Sequence, residues 1–234
     1  MTAVLWADSV AKAFGGRRIL TGAWLEAHAG AVTALIGRNG TGKTTLLKIA
    51  AGWLRADRGF VEFRGMRHFA PRPARLARDG LFYLPMDRSI LSPAFTLGQH
   101  LDAVERRFGV DGRAEVLERL GLARVCHVPC RALSGGEHRR AELCVALLRR
   151  PACLLADEPF RGIPPHDADA ILQALREMAG TGCAVVATGH EMGWVLQAAD
   201  EVLWMRDGST QPLGGRDDAV RHWRFRREYL GERS

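Results

Sequence analysis

The feature that most constrains this chain is a glycine-rich segment between a buried strand and a helix. The mostly apolar run Ala31–Ile36 is typical of a strand, Gly37–Thr44 follow as Gly-Arg-Asn-Gly-Thr-Gly-Lys-Thr, and Thr44–Gly52 have helical spacing. Glycines let successive backbone N–H groups face phosphate oxygens, and the N-terminus of the next helix adds partial positive charge. The segment therefore predicts a phosphate-binding loop, with Lys43 reaching the outer phosphates and the Thr44 hydroxyl binding Mg²⁺.

A second candidate site follows the run Cys153–Ala156. Four small or apolar residues predict a buried strand, which delivers Asp157 to its carboxyl end, where α/β sheets bind ligands. Asp157 is then placed to support the Mg²⁺ shell, and Glu158 is a candidate to polarise the attacking water. An ordinary strand end explains the same residues, but the phosphate loop favours the functional interpretation.

Strand and helix patterns alternate along much of the chain. The first third reads as strands and turns, the stretch from about Arg72 to Arg150 is mostly helical in pattern, and the last third alternates again. Thr96 and Gln99 have the spacing of a capping box, which predicts the start of a helix through about Phe108. These patterns predict an α/β fold with a parallel sheet and helices inserted into its middle.

The composition indicates an anionic partner but does not identify it. The 234 residues are 47% apolar and 25% charged, which excludes a disordered, collagen-like or coiled-coil chain. The net charge is +7, and only Lys12, Lys43 and Lys48 are lysines, so arginine supplies the remaining basic residues. This balance suggests an anionic partner, either nucleic acid, nucleotide or membrane surface. We expect an intracellular protein, since the sequence shows neither a secretory leader nor a run of about 20 apolar residues.

The segment Leu133-Ser134-Gly135-Gly136-Glu137 completes a set of ordered motifs that resembles the nucleotide-binding subunit of ATP-binding-cassette (ABC) transporters. In that comparison Gly37–Thr44 match the Walker A loop, Cys153–Asp157 match Walker B, Glu158 matches the catalytic carboxylate and His190 matches the switch histidine. Thr44 and Asp157 match the Mg²⁺-binding pair, with Asp157 acting behind the ion's direct ligands. The ATP-binding residues that the resemblance implies are Phe14, which would stack on adenine, Gly37, Asn39, Gly40, Thr41, Gly42, Lys43, Thr44, Thr45, Ser134, Gly135, Gly136 and Glu137.

The resemblance also implies an architecture and partners. It implies an α/β fold with a P-loop NTPase core and parallel sheet, an N-terminal antiparallel β part and an inserted α-helical subdomain at about 85–150, in one domain over 1–234. It implies ATP and Mg²⁺ as cofactors, a head-to-tail dimer with a second cassette, and an integral-membrane permease as a separate subunit. The expected localisation is cytoplasmic, with the protein bound peripherally to the inner face of the cell membrane. Short segments such as Asp157-Glu158-Pro159-Phe160 most resemble those of the lipopolysaccharide-export and branched-chain amino-acid transport ATPases.

Two positions depart from the family pattern. Met86 stands where the family has a glutamine that approaches Mg²⁺ and water, and a thioether is a poor ligand for that hard cation. Pro164 stands where the family has an aspartate that crosses the dimer interface. We expect ATP binding to survive and ATPase turnover to be weak or altered. The alternatives are that neighbouring residues compensate, Asp87 through a water molecule among them, or that the chain is a regulatory, weakly hydrolysing cassette.

Two other functions remain open at this stage. One is a non-transport ABC ATPase such as an assembly factor, and the other is a nucleic-acid-associated ABC ATPase, which the charge invites. Nucleic acid is the less favoured partner, because such proteins usually carry two cassettes or a long coiled coil. The basic, aromatic tail Arg221–Tyr229 suits anionic lipid or nucleic acid, but a solvated helix with a packed aromatic face is the preferred interpretation.

Overall fold

A computed structural model describes residues 3–189 and 192–230 of the chain. The N-terminal part is an antiparallel sheet, in which Gly15 and Gly16 form the first hairpin turn with positive φ angles of 53° and 80°. Its strands lie in the spatial order β2-β1-β4-β5. Their bounds are β1 (Ala3–Phe14), β2 (Arg17–His28), β4 (Arg58–Phe63) and β5 (Met66–His68).

The second sheet forms the centre of the molecule. Five of its strands run parallel, β10 pairs antiparallel with β9, and the spatial order is β10-β9-β3-β8-β7-β6. The strands are β3 (Val32–Ile36), β6 (Leu81–Leu84), β7 (Cys153–Ala156), β8 (Ala184–Gly189), β9 (Glu201–Arg206) and β10 (Ser209–Gly214). Leu84 pairs with Ala156, and Ala156 pairs with Ala187. This register brings the carboxyl ends of β6, β7 and β8 to one edge, where the candidate site lies.

Helices follow or connect these strands, and three of them lie between β6 and β7. The helices are α1 (Lys43–Ala50), α2 (Pro73–Arg78), α3 (Leu97–Phe108), α4 (Arg113–Arg119), α5 (Gly135–Arg149), α6 (Pro165–Gly180), α7 (Met192–Ala198) and α8 (Arg216–Arg221), with shorter helical turns at Cys130–Ala132, Trp223–Phe225 and Arg226–Leu230. The predicted capping box is confirmed, since Thr96 Oγ1 accepts the Gln99 N–H at 3.1 Å and Gln99 Oε1 accepts the Thr96 N–H at 2.9 Å.

Two apolar clusters hold these layers together. One packs the central sheet against α3–α7, with Leu154 and Val185 among its fully buried members. The other fills the space between the two sheets and α1, and it includes Leu5, Leu35 and Leu46. Burial of apolar area at roughly 25 cal/mol per Å² makes these clusters the main stabilising term. They also clamp the phosphate-loop segment between β3 and α1.

The structure adds strands that the sequence patterns did not indicate. The region from about Arg72 to Arg150 was expected to be mostly helical, yet Leu81–Leu84 form the buried strand β6. A run of four buried apolar residues has no alternation, so periodicity cannot separate it from a helix segment. The first strand runs the full length of Ala3–Phe14, because its later residues pair with β2.

The basic tail packs through one aromatic side chain. Phe225 is fully buried and lies edge-on to Trp204, with ring centroids 5.7 Å apart. Arg206 also pairs with Glu228 at 2.8 Å. This part of the chain therefore has the packed aromatic face of the preferred interpretation, although Trp223 stays 62% exposed. No helix in the described ranges has both the length and the apolar character that a membrane span requires.

Candidate functional site

The glycine-rich segment is a tight loop in which side chains would be strained or would clash at several glycine positions. Gly40 and Gly42 have positive φ angles of 80° and 109°, a region that side chains disfavour. A Cβ at Gly37 would lie 2.5 Å from the Met205 carbonyl oxygen, and one at Gly42 would lie 2.6 Å from Leu20 Cδ2. The loop is therefore pressed against β9 and β2, and α1 begins directly after Gly42.

Lys43 lies folded back inside this loop. Its Nζ donates to the carbonyl oxygens of Gly37 at 2.6 Å and Arg38 at 3.2 Å. Burial lowers the pKa of Lys43, and the nearby carboxylates of Glu158 and Asp157 oppose that effect. Lys43 is therefore a buried ammonium that bonds to two loop carbonyls and lies within electrostatic reach of two carboxylates.

Asp157 is the fully buried centre of a hydrogen-bond network under the loop. Its Oδ1 accepts from the hydroxyls of Thr188 at 2.7 Å and Thr44 at 3.1 Å, and its Oδ2 accepts from the Tyr83 hydroxyl at 3.3 Å. Burial raises the pKa of Asp157, and the three hydroxyl donors partly offset this rise. The same burial, with Asp157 next to it, raises the pKa of the Tyr83 hydroxyl.

Glu158 begins the turn after β7 with an unusual backbone conformation. Its φ angle is 47°, a conformation that costs free energy for a residue other than glycine. Residues with such strained backbone conformations cluster at functional sites. Its N–H donates to Thr188 Oγ1 at 2.8 Å, so one threonine hydroxyl bridges the two acidic residues. Sequence reasoning missed Thr188 and Tyr83; the only available signal was their position at the ends of strands next to β7.

A cavity of about 500 Å³ opens in front of the phosphate loop. Half-exposed Phe14 is part of its wall, as are Met86, Glu158 and Arg161. Asp87 does not line it, and its carboxylate pairs with Lys48 at 2.7 Å. The complete lining is Phe14, Ile19, Asn39, Gly40, Gly42, Lys43, Thr44, Thr45, Met86, Glu158 and Arg161.

The segment 134–137 forms the N-terminus of α5, away from this cavity. Ser134 Oγ accepts the Glu137 N–H at 3.3 Å and Glu137 Oε2 accepts the Ser134 N–H at 2.8 Å, which is a capping box. These bonds lower the pKa of Glu137. Gly136 packs against the buried side chain of Asp167 on α6, whereas a Cβ at Gly135 would meet nothing within 4 Å. Gly135 therefore faces open space.

Arg139, one turn into α5, ties this helix to the site, and sequence reasoning missed it. Its guanidinium donates to the carbonyl oxygens of Asp157 at 2.9 Å and Pro85 at 3.2 Å. It also pairs with the buried carboxylate of Glu142 at 2.8 Å, and Glu142 Oε1 accepts the Ile90 N–H at 3.1 Å. The pair thus connects α5 with the segments after β6 and after β7.

His190 lies outside the described residues, so its proposed place beside the phosphate is not seen. Pro164 precedes α6, where its carbonyl accepts the Asp167 N–H at 3.0 Å, and it is not among the residues that line the cavity. Most predicted residues of the phosphate loop line the cavity with Phe14 and Glu158, whereas Gly37 and Thr41 do not. Asp157 lies directly behind Thr44.

A family model described as "ABC transporter" matches residues 20–161, well over half of the chain. The chain belongs to the ABC transporter family. A "Probable ABC transporter ATP-binding protein" of Azorhizobium caulinodans is 36% identical over 97% of this chain and 83% of that protein. The "Lipopolysaccharide export system ATP-binding protein LptB" of Escherichia coli (strain K12) is 30% identical over 98% of each chain.

A solved structure of an ABC cassette has the same fold. The ADP conformation of MJ1267, an ATP-binding cassette of an ABC transporter, superposes with a TM-score of 0.84 at 25% identity, covering 99% of this chain and 100% of that one. The predicted fold class is confirmed: a P-loop core with a parallel sheet, an N-terminal antiparallel sheet and inserted helices. The protein is an ATP-binding ATPase subunit of the ABC transporter type.

Proposed function

We propose that the cavity binds ATP between Phe14 and the phosphate loop. The backbone N–H groups of residues 37–45 surround the phosphates, Lys43 leaves its loop carbonyls for the outer phosphates, and the half-exposed ring of Phe14 stacks on adenine. The hydrogen bond from Thr44 to Asp157, directly under this loop, is the observation that carries the proposal. It joins the two motifs that a phosphoryl-transfer site requires.

The donor set fits Mg²⁺. Thr44 Oγ1 and Asp157 Oδ1 lie 3.1 Å apart at the loop, and hydroxyl and carboxylate oxygens suit this hard cation. Thr44 would hold the ion directly and Asp157 would orient that hydroxyl. When bound, the ion neutralises charge on the β- and γ-phosphate oxygens. Glu158, which lines the cavity, takes the role of polarising the attacking water, and His190 the role of a phosphate contact.

The active form is a head-to-tail pair of cassettes. Ser134 caps the N-terminus of α5, Glu137 completes the capping box, and Gly135 faces open space away from the cavity of its own chain. A capped helix N-terminus with an exposed glycine suits an anion from another molecule. The segment 134–137 therefore contacts ATP held by a second cassette, which is either identical or related.

ATP hydrolysis by this pair drives a separate permease at the inner face of the cell membrane. The names of relatives include zinc import, lipopolysaccharide export and ribose import, so they do not agree on one cargo or one direction. The segment between β6 and α3, about residues 85–96, lies between the central sheet and the inserted helices and is our choice for the permease contact. We do not propose a nucleic-acid partner.

A second candidate function is a regulatory cassette with weak turnover. It is favoured by Met86, whose thioether lines the cavity where the family has a glutamine. Asp87 is an unsuitable replacement, because Lys48 holds its carboxylate. The two candidates share the ATP site and differ in the rate of hydrolysis.

Turnover of purified protein with Mg²⁺ and ATP tests the proposal. Glu158→Gln should lower kcat at least about 100-fold, the usual effect of losing a general base, while ATP binding persists. Glu118→Gln, on an exposed part of α4, is the matched control and should keep the wild-type rate. Full turnover in Glu158→Gln would overturn the assignment, and a wild-type rate no higher than that of Glu158→Gln would favour the regulatory candidate.

The permease partner needs a separate experiment. The tagged chain should be recovered from solubilised membranes of its source cell together with an integral membrane protein. The same protein should be lost when the segment about residues 85–96 is altered at its exposed positions. Recovery of soluble partners alone would contradict the transporter assignment.

A further inference from the structure

The turn after Glu158 carries an arginine into the wall of the ATP cavity. The Arg161 N–H donates to the Glu158 carbonyl oxygen at 3.2 Å, and the Ile163 N–H donates to that of Phe160 at 3.3 Å. Gly162 takes a positive φ angle of 66°, Pro164 follows it, and Pro165 begins α6. The turn is tight and conformationally restricted, and Arg161 lines the cavity at this position.

Arg161 differs from the other cation of the cavity in what its side chain already binds. Lys43 and Arg161 are the two basic residues among those that line it. The Lys43 ammonium is bonded to two loop carbonyls, whereas the described residues offer no hydrogen bond or ion pair to the Arg161 guanidinium. Within residues 3–189 and 192–230, no side chain or carbonyl group occupies its N–H donors, so a ligand in the cavity can accept from them.

The position of Arg161 indicates which part of the nucleotide it contacts. Its N–H bond to the Glu158 carbonyl oxygen places Arg161 next to Glu158 in the lining, whereas Phe14 and Ile19 supply the aromatic and aliphatic surface that suits adenine. A guanidinium presents a planar fork of donors that matches phosphate oxygens. The terminal phosphate carries the most charge and lies nearest the hydrolytic carboxylate, so it is the group that this fork fits.

We propose that Arg161 binds the γ-phosphate of ATP held in its own subunit, an inference that rests on the ATP site proposed above. Met86, which also lines the cavity, has no hydrogen-bond donor, and the Asp87 carboxylate is held by Lys48. Arg161 supplies the side-chain donor that Met86 lacks. It stabilises the charge on the transferred group during hydrolysis and makes the site distinguish ATP from ADP.

Nucleotide titration in the Glu158→Gln background tests this contact without hydrolysis. At protein concentrations where light scattering shows a monomer, Arg161→Ala should weaken binding of fluorescent ATP about 10- to 100-fold, the loss expected for a charge-assisted hydrogen bond. Binding of the ADP analogue should change less than about twofold, and Arg161→Lys should restore part of the loss. Arg106→Ala, at an exposed position on α3, is the control and should change neither.

Other outcomes separate this proposal from the proposed function. Unchanged ATP binding in Arg161→Ala would overturn it, as would an equal loss of ATP and ADP binding. A loss seen only under dimer-forming conditions would place Arg161 against the nucleotide of the partner and would also overturn it. If the parent protein binds neither nucleotide, the proposed ATP site itself fails. In the chain that keeps Glu158, Arg161→Ala should also lower kcat below the wild-type value.

Discussion

Replacing Gly136 with alanine places a methyl group where the Asp167 carboxylate now lies. The added Cβ would lie 2.7 Å from Asp167 Cγ and closer still to Oδ2, so the carboxylate must move. Asp167 is only 5% exposed and forms an ion pair with Arg140. Moving it therefore separates two largely buried charges at the contact between α5 and α6.

The expected cost follows from that ion pair. Breaking a buried pair costs about 3–5 kcal/mol, because an uncompensated charge stays buried. Alanine in a helix gains about 0.5–1 kcal/mol over glycine. Gly136→Ala should thus lower the free energy of unfolding by about 2–4 kcal/mol, which corresponds to a fall in Tm of roughly 4–16 °C for a chain of this size.

Gly135→Ala is the matched control one residue earlier. Nothing lies within 4 Å of a Cβ at Gly135, so the free energy of unfolding should stay within about 0.5 kcal/mol or rise slightly. Denaturant unfolding followed by circular dichroism measures both variants. Gly135→Ala should nevertheless weaken ATP-dependent dimer formation, because its methyl group would occupy the open space assigned to the second cassette.

A double-mutant cycle decides whether the clash is the cause. Asp167→Ala leaves only its Cβ near the added methyl, at an ordinary 3.4 Å. Gly136→Ala should then cost less than about 0.5 kcal/mol in the Asp167→Ala background. Additive losses in the double variant, or equal losses for the two glycines, would refute this reasoning.

Three further predictions concern other parts of the molecule. Met86→Gln should raise kcat several-fold by restoring a polar group to the cavity wall, measured by phosphate release; an unchanged rate would show that this wall is not limiting. Iodoacetamide at pH 8 should label part-buried Cys126 before Cys144 and Cys183, because burial raises the pKa of each of these two thiols to about 12; simultaneous labelling in mass spectra would contradict this packing. Arg139→Met should lower the free energy of unfolding by about 3–5 kcal/mol, since it leaves the buried carboxylate of Glu142 without its ion-pair partner. An unchanged denaturation midpoint would contradict this.

The parts of the site that sequence reasoning recovered are local in the chain. The phosphate loop joins a strand to a helix within about 20 residues, and its glycines follow from close backbone contacts and positive φ angles. Asp157 and Glu158 come directly after one buried strand. The capping box predicted at Thr96 spans four residues, and it is formed. Short spacings of this kind are sufficient to predict the chemistry.

The remaining parts depend on which elements become neighbours. Thr188 reaches Asp157 only because β8 lies beside β7, and Tyr83 reaches it only because β6 lies on the other side. The contact between Gly136 and Asp167 requires α5 to pack on α6. Sheet order and helix packing result from burial of the whole apolar surface, which no short pattern specifies.

The sequence by itself determined the phosphate loop, the acidic strand end and the family, because contiguous residues carry them. It also exposed the departures at Met86 and Pro164. Only the tertiary structure decided that Arg161 lines the ATP cavity, since that depends on the turn after β7 folding back toward the phosphate loop. The physical reason is that local geometry follows from neighbouring residues, whereas a cavity wall is assembled from segments that packing brings together.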